Sequence, residues 1–400
     1  MGDLPAPRLG DRTLFPTLAA RAYLSHAAIS PVSEPVRRSV QALLGDYAAE
    51  GLGAFSRWNT QRDRLRVDLA ALLGARPEDL ALVANTTTAV LDVAQCFPWR
   101  PGDKILCFEG EFPTNVTPWQ RAAATFDLEV LRLPLAGFDD GSGAGLARVE
   151  ETLQGGGVRL IAVSAVQFQT GLAMPLQALA TLAHAHGAQL AVDAIQAVGI
   201  RPLDVEALGI DYLACGSHKW LMGLEGCGFL YVRPERMASL VPRVAGWLSH
   251  EEAFAFLTEG PGHLRHDRPI RRQADFLEVG APHGAALAAL GASVSLLRTL
   301  GIEGIAAHVQ HFHDALEPGL VARGFASLRA TDPAARSGIL SLRPPAGIHP
   351  GRLVEALGAH GVVVTQPCGL LRIAPHWPNA LEEVDTILAA VDTALRSARA

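Results

Sequence analysis

Between Asp193 and Gly228 the chain reads DAIQAVGIRPLDVEALGIDYLACGSHKWLMGLEGCG, an acid, an amide, a histidine and a lysine in fixed order. The apolar run Ala188 to Val192 ends in Asp193, and a second, Tyr212 to Cys215, stops just before Ser217, His218 and Lys219. Short continuous apolar runs of this kind read as buried parallel strands. Polar residues at their carboxyl ends then face one crevice, because ligands of open α/β sheets bind outside that edge. A lysine there, taken out of water, loses its proton near neutrality and can form a Schiff base with an aldehyde. The carboxylate suits the opposite task, pairing with a protonated pyridine nitrogen so that the ring accepts electrons. Lysine and acid together are the two poles of a pyridoxal phosphate site.

Three more apolar runs end in residues suited to such a ligand. Leu80 to Ala84 leads into Asn85, Thr86, Thr87 and Thr88, ahead of a helix expected over 89–97. Hydroxyls at a helix N-terminus are either N-caps or, with the free amides and the positive end of the dipole, a phosphate cup. Lys104 to Phe108 runs into GEFPTNVTPW, where Phe112 either stacks on a flat ring or packs in the core. Arg159 to Val166 ends in Gln167, Phe168 and Gln169. Five expected strand ends therefore carry Thr86, Phe112, Gln167, Asp193 and Ser217, and unrelated polar residues have no reason to gather at one edge of a sheet.

The pattern of Asp193 and Gln196 followed by Ser217, His218, Lys219 and Trp220 resembles the class V branch of fold-type I pyridoxal phosphate enzymes. That group holds cysteine desulfurases, selenocysteine lyases, kynureninases and isopenicillin N epimerase-like proteins. EFPTNVTPW and SHKW lean toward the epimerase-like branch. The resemblance implies an α/β fold with a mostly parallel, seven-stranded-type sheet flanked by helices, plus a smaller α+β C-terminal domain. A large cofactor-binding domain over 15–280 is expected, with 1–14 and 281–400 as the small domain and a long helix near 284–300 joining them.

By the same resemblance Thr86 and Thr87 hold the phosphate and Phe112 faces the ring, where relatives often have histidine. Gln167, with Gln169 as rival, touches the ring hydroxyl. His218 helps hold the phosphate or adjacent groups, and Ser217 stands in for a family serine whose place here is Gly216. YLSHAAIS is otherwise a turn before a helix over 34–49 capped by Ser33; by resemblance His26, Ala27 and Ala28 lie beside the substrate carboxylate. Arg372, in GLLRIAPHWPN, matches an arginine able to clamp an α-carboxylate through two parallel hydrogen bonds. Ala281 replaces a hydroxyl that in relatives reaches the other subunit's phosphate, which weakens, without removing, the expectation of a homodimer.

Composition narrows the alternatives. Four hundred residues, 49% of them apolar, can bury a large core, and a net charge of −6 offers no basic excess for nucleic acid. Five scattered cysteines fit reduced thiols in the cytoplasm, and no long uncharged apolar run suggests a membrane span. His308, His311 and His313 lack a clustering carboxylate or cysteine and read as a solvated helix face, so no metal is expected. The expected activity is a β-eliminating lyase of the C–S type acting on an amino acid, independent of a nucleophilic thiol. An aminotransferase, an epimerase and a non-catalytic binding protein are the alternatives.

Overall fold

A computed structural model describes residues 4–398 of the chain. After β1 (Ala22–Tyr23), α1 (Glu34–Glu50) and α2 (Phe55–Leu73) come β2 (Leu80–Val83), α3 (Thr86–Cys96), β3 (Lys104–Phe108), α4 (Thr117–Phe126) and β4 (Glu129–Leu133). They are followed by α5 (Ala144–Gln154), β5 (Val158–Ser164), α6 (Leu176–Ala185), β6 (Gln189–Asp193), β7 (Tyr212–Gly216) and β8 (Gly228–Val232). Strands β2 to β8 form one seven-stranded sheet in the order β2-β8-β7-β6-β5-β3-β4. Only β8 runs against the others, so the carboxyl ends of β2, β3, β5, β6 and β7 open on the same edge.

The central strands are buried on both faces, which is why their sequences are continuous apolar runs rather than alternating ones. Side chains still alternate between two cores. Leu106, Phe108, Ile161 and Val163 pack with α2, α6 and the helix Gly284–Leu300 on one side. Ile105, Cys107, Leu160 and Ala162 pack with α3 and α4 on the other. Helices on both faces of a mostly parallel sheet are the expected architecture.

A third core belongs to the C-terminal part, where β9 (Ala326–Ser327), β10 (Leu340–Arg343) and β12 (Leu371–Ile373) form an antiparallel sheet. β11 (Val362–Val363) pairs instead with β1, and Ala22 and Leu24 pack among the C-terminal residues. The division expected at residues 14 and 15 thus leaves, inside the large unit, a strand whose partner lies in the small one. The outermost residues of the expected small unit fall outside the described range.

Local expectations are corrected in three places. Ser33 makes no side-chain capping bond to α1; its hydroxyl is buried without a partner. The threonines lie inside the first turn of α3, and Asn85 is the cap, accepting from the Thr88 N–H at 2.9 Å. The helix Ile302–Val321 is not solvated at His313, which is fully buried with both ring nitrogens unpartnered. The hydrophobic stripe of that helix simply includes it.

Candidate active site

Asp193 ends β6 and Lys219 lies three residues beyond β7, on neighbouring parallel strands. Burial pushes the Asp193 carboxyl up to about 6; the Ile195 N–H, donating at 3.0 Å, and Lys219 oppose the rise, and Glu111 adds to it. At half-buried Lys219 the loss of water pulls the ammonium down to about 8, against the pull of Asp193 and with the help of Arg372. Acid and amine are thus close enough to shift each other, and the lysine yields a neutral amine within reach of physiological pH. The Lys219 Nζ also lies 5.5 Å from the centre of the Phe112 ring, which is 42% exposed and meets Phe168 edge-on at 5.2 Å.

The N-terminus of α3 comes to the same edge. A Cβ built on Gly216 would lie 2.9 Å from the Thr86 Oγ1 and 3.7 Å from the His218 Cε1, so both side chains flank this glycine. The absence of a side chain at Gly216, where the family pattern has serine, keeps the Thr86 hydroxyl clear. That hydroxyl is buried with no partner, an unpaid desolvation unless a ligand accepts from it. Thr87 is exposed and shares a 2.8 Å bond with Thr114. Burial lowers the His218 pKa, with Lys219 acting in the same sense. Ser217 differs from expectation, since its hydroxyl proton is committed to the Leu224 carbonyl and is not available to an anion.

Arg372 is 6% exposed and has no carboxylate partner among the described residues. Its Nε donates to the Thr365 hydroxyl at 3.1 Å and its Nη1 to the Phe168 carbonyl at 2.9 Å. Burial brings it down to about 10, so it keeps its charge at neutral pH with guanidinium protons to spare. Gln196 is a brace rather than a free amide. It accepts from the Trp220 indole at 2.7 Å and donates to the Ala27 carbonyl at 3.0 Å, tying the 25–30 turn, with half-buried Ala28, to the lysine segment.

Two residues, Glu111 and His376, lie outside the expectations drawn from the sequence. Glu111, beside Phe112, is buried and accepts from the Ser164 N–H (2.7 Å), the Ser164 hydroxyl and the Gln167 amide (3.0 Å). Gln167 is therefore held, with its Oε1 buried and unpartnered. The Gln169 side chain has no hydrogen-bond partner among the described residues, and its carbonyl accepts from Ser341. The second is His376, which meets the fully buried candidate His26 edge to face at 5.3 Å beneath Trp220. His26 reaches the Lys219 carbonyl through the Ser30 hydroxyl, by contacts of 2.8 and 2.6 Å. An acid directly preceding an aromatic at a strand end was a readable signal for Glu111; histidines 350 positions apart left none.

Comparison with known proteins adds a family and a fold. Residues 22–371 match the family model described as aminotransferase class-V. A cysteine desulfurase of Dickeya dadantii is 33% identical over 296 residues, 72% of this chain and 68% of its own. An uncharacterized aminotransferase, YcbU, of Bacillus subtilis is 28% identical over 93% of this chain and 94% of its own. Among solved structures, the complex between the cystine C-S lyase C-DES and its reaction product cysteine persulfide superposes with a TM-score of 0.85 at 24% identity, covering 95% of this chain and 99% of that one.

Proposed function

Since the chain belongs to the aminotransferase class-V family of pyridoxal phosphate-dependent enzymes, we propose that it removes a β substituent through a C–S bond from an amino acid. The observation that carries this reading is the buried Asp193 carboxyl coupled to the Lys219 amine across adjacent strand ends. The orphaned hydroxyl of Thr86 and the orphaned Oε1 of Gln167 are what a bound ligand with a phosphate and a ring hydroxyl would satisfy, so the residues fit the cofactor. Lys219 would hold it covalently, Asp193 would pair with its ring nitrogen, and Gln167 would meet its hydroxyl. Thr86, Thr87, His218 and the free amides of α3 would take its phosphate, and Phe112 would cover its ring.

When bound, the cofactor draws electron density from the Cα of the attached amino acid. The protein supplies position and proton movement. Arg372, with spare donors, would clamp the α-carboxylate and so aim the Cα–H at Lys219. The Lys219 amine, neutral above about 8, would take that proton as a general base. After that proton transfer, departure of the β substituent with its bonding electrons makes the enzyme a lyase, delivery of a proton to the opposite face of Cα an epimerase, and retention of the amino group by the enzyme an aminotransferase. The relatives reported above support the first and last, and the epimerase-like branch rests on the motifs alone.

A persulfide-forming desulfurase is the second reading, favoured by Cys368. Among the five cysteines it alone is exposed, on a hairpin closed by mutual backbone bonds between Thr365 and Arg372, at the substrate arginine. The decisive experiment is incubation of the yellow, borohydride-trappable protein with cysteine, cystine and other amino acids. Keto acid with ammonia and a released thiol or persulfide indicates the lyase; alanine formation abolished by Cys368→Ala indicates the desulfurase. A protein that takes up no cofactor at Lys219 overturns both.

A cytoplasmic homodimer is the assembly we propose with it. A cavity of about 570 Å³ opens between α1, α2 and the helix Gly284–Leu300, lined by Tyr47, Phe55, Trp58, Trp247 and Ala281. Its exposed aromatics suit burial against a second copy. Sedimentation of the pure protein at twice the monomer mass is the expected result. No single helix among the described residues is long and apolar enough to cross a membrane.

A further inference from the structure

Glu111 is a buried acid that the proposed chemistry leaves unused. It stands on the turn after β3, three residues past Phe108, and is 8% exposed. Its two oxygens accept from the Ser164 N–H, the Ser164 hydroxyl and the Gln167 Nε2, at the end of β5 or just after it, and the Asn115 side chain lies close enough to act on the acid as a further donor. Ser164 is the strand partner of Asp193, so the two acids lie on either side of one strand end. The titratable groups facing Glu111 are Asp193 on β6 and the Cys107 thiol on β3, and each is pushed up by its charge.

The consequence falls on Gln167. An amide offers one acceptor and two donor hydrogens on opposite sides, and which side faces a ligand is set by what the other side meets. Here the NH2 is turned to Glu111 and the carbonyl oxygen is left buried with nothing to accept from. A carboxylate enforces that orientation, because an ionised acid accepts only. We propose that Glu111 is a positioning residue that turns the Gln167 carbonyl, rather than its NH2, toward the cofactor's ring hydroxyl, so that the site favours the protonated form of that hydroxyl. The inference rests on the placement of Gln167 given above. It deepens that reading by assigning the proton balance of the ring to a residue that touches neither cofactor nor substrate.

Burial raises the Glu111 pKa, while hydrogen bonds from the Ser164 hydroxyl and N–H and from the Gln167 and Asn115 side chains lower it. With these donors in place the acid is held as the acceptor the amide needs. Glu111→Gln removes the constraint. A glutamine can donate to the Gln167 Oε1, which frees the Gln167 NH2 to donate to the ring oxygen and stabilises its ionised form. Ser164→Ala acts in the same direction by withdrawing a donor from the carboxylate, at a smaller cost to folding.

The test is a pH titration of the visible absorbance of the holoprotein, with parent, Glu111→Gln, Ser164→Ala, Gln167→Leu and the Glu111→Gln/Gln167→Leu double variant. The expected result is a midpoint about one unit or more lower in Glu111→Gln, the scale of one hydrogen bond gained to a charged group. Ser164→Ala should shift it the same way by less, and the double variant should match Gln167→Leu, since the effect passes through the amide. Midpoints equal to the parent's in both Glu111→Gln and Ser164→Ala overturn the inference, as does a Glu111→Gln shift that survives in the Gln167→Leu background. If Glu111→Gln does not fold, Ser164→Ala decides. Borohydride trapping at Lys219 in the parent is read first: its failure sinks the assignment of the cofactor site, whereas trapping with unmoved midpoints sinks only the role of Glu111.

Discussion

The Lys219 Nζ lies 5.5 Å from the centre of the Phe112 ring, so the amine and an exposed aromatic face look at each other across the strand ends of β3 and β7. A flat ring bound through Lys219 would bury that face. Phe112→Leu removes the stacking surface but little volume, and about 1 kcal/mol of aromatic contact corresponds to a five- to tenfold weaker cofactor affinity. Phe112→His should recover most of it. Spectrophotometric titration of the cofactor-free protein measures both, and equal affinities for Leu and Phe would show that the ring serves only as packing.

Asp193 should cost stability in the protein without cofactor. Its folded value of about 6 lies above the ordinary carboxylate range, so the folded state binds more protons than the unfolded between about 4 and 6, and stability falls as pH rises through that window. Above it, the penalty is on the order of 2–3 kcal/mol. Asp193→Asn keeps an oxygen for the Ile195 N–H and should leave the cofactor-free protein as stable as the parent or more so at pH 8, by urea unfolding. The same variant should bind cofactor at least about 100-fold more weakly, for want of the charge proposed to pair with the ring nitrogen. A destabilised Asn variant would mean that the carboxylate is a structural anchor.

Thr86 carries a parallel expectation. Its buried hydroxyl has no partner, so Thr86→Val, nearly the same in volume, should not lower the melting temperature. It should weaken cofactor binding roughly tenfold by removing one donor to a charged oxygen. Loss of melting temperature together with unchanged binding would place the hydroxyl in the core instead.

The histidine pair behind the lysine sets an acid limit. Burial lowers His376 to about 4 and His26 well below its ordinary value, with His376 adding to the cost of charging His26 and His308 to that of charging His376. The unfolded chain takes up these protons first, so stability is fully present above about pH 6.5 and is lost as pH falls from there toward 4. His376 alone accounts for roughly 3 kcal/mol of that loss. His376→Gln, with an amide to reach the Trp220 carbonyl, should flatten the fall between pH 6.5 and 5 in urea unfolding; an unchanged slope would assign the acid sensitivity elsewhere.

Much of the frame was legible because the central strands are buried on both faces and so announce themselves as apolar runs. Lys104 to Phe108, Tyr212 to Cys215 and the helix Gly284–Leu300 fall where their residues place them, within a residue or two at most. The helix after β2 begins one turn earlier than its residues suggest, because Thr86 to Thr88 have weak helix propensity and only Asn85 as cap lets the helix begin at once. Ser33, with the composition of a cap, is buried without capping.

What the residues alone determined was the order of chemistry along the chain. An acid, then a lysine, each closing an apolar run, had to meet at one edge once parallel strands paired, because parallel strands share their carboxyl ends. What only the tertiary structure decided was which groups hold those residues in place. Glu111 beneath Gln167, Gln196 between Ala27 and Trp220, and His26 against His376 are contacts between segments far apart in sequence. Spacing along a chain carries no trace of them, since burial and hydrogen-bond geometry arise only when the layers close.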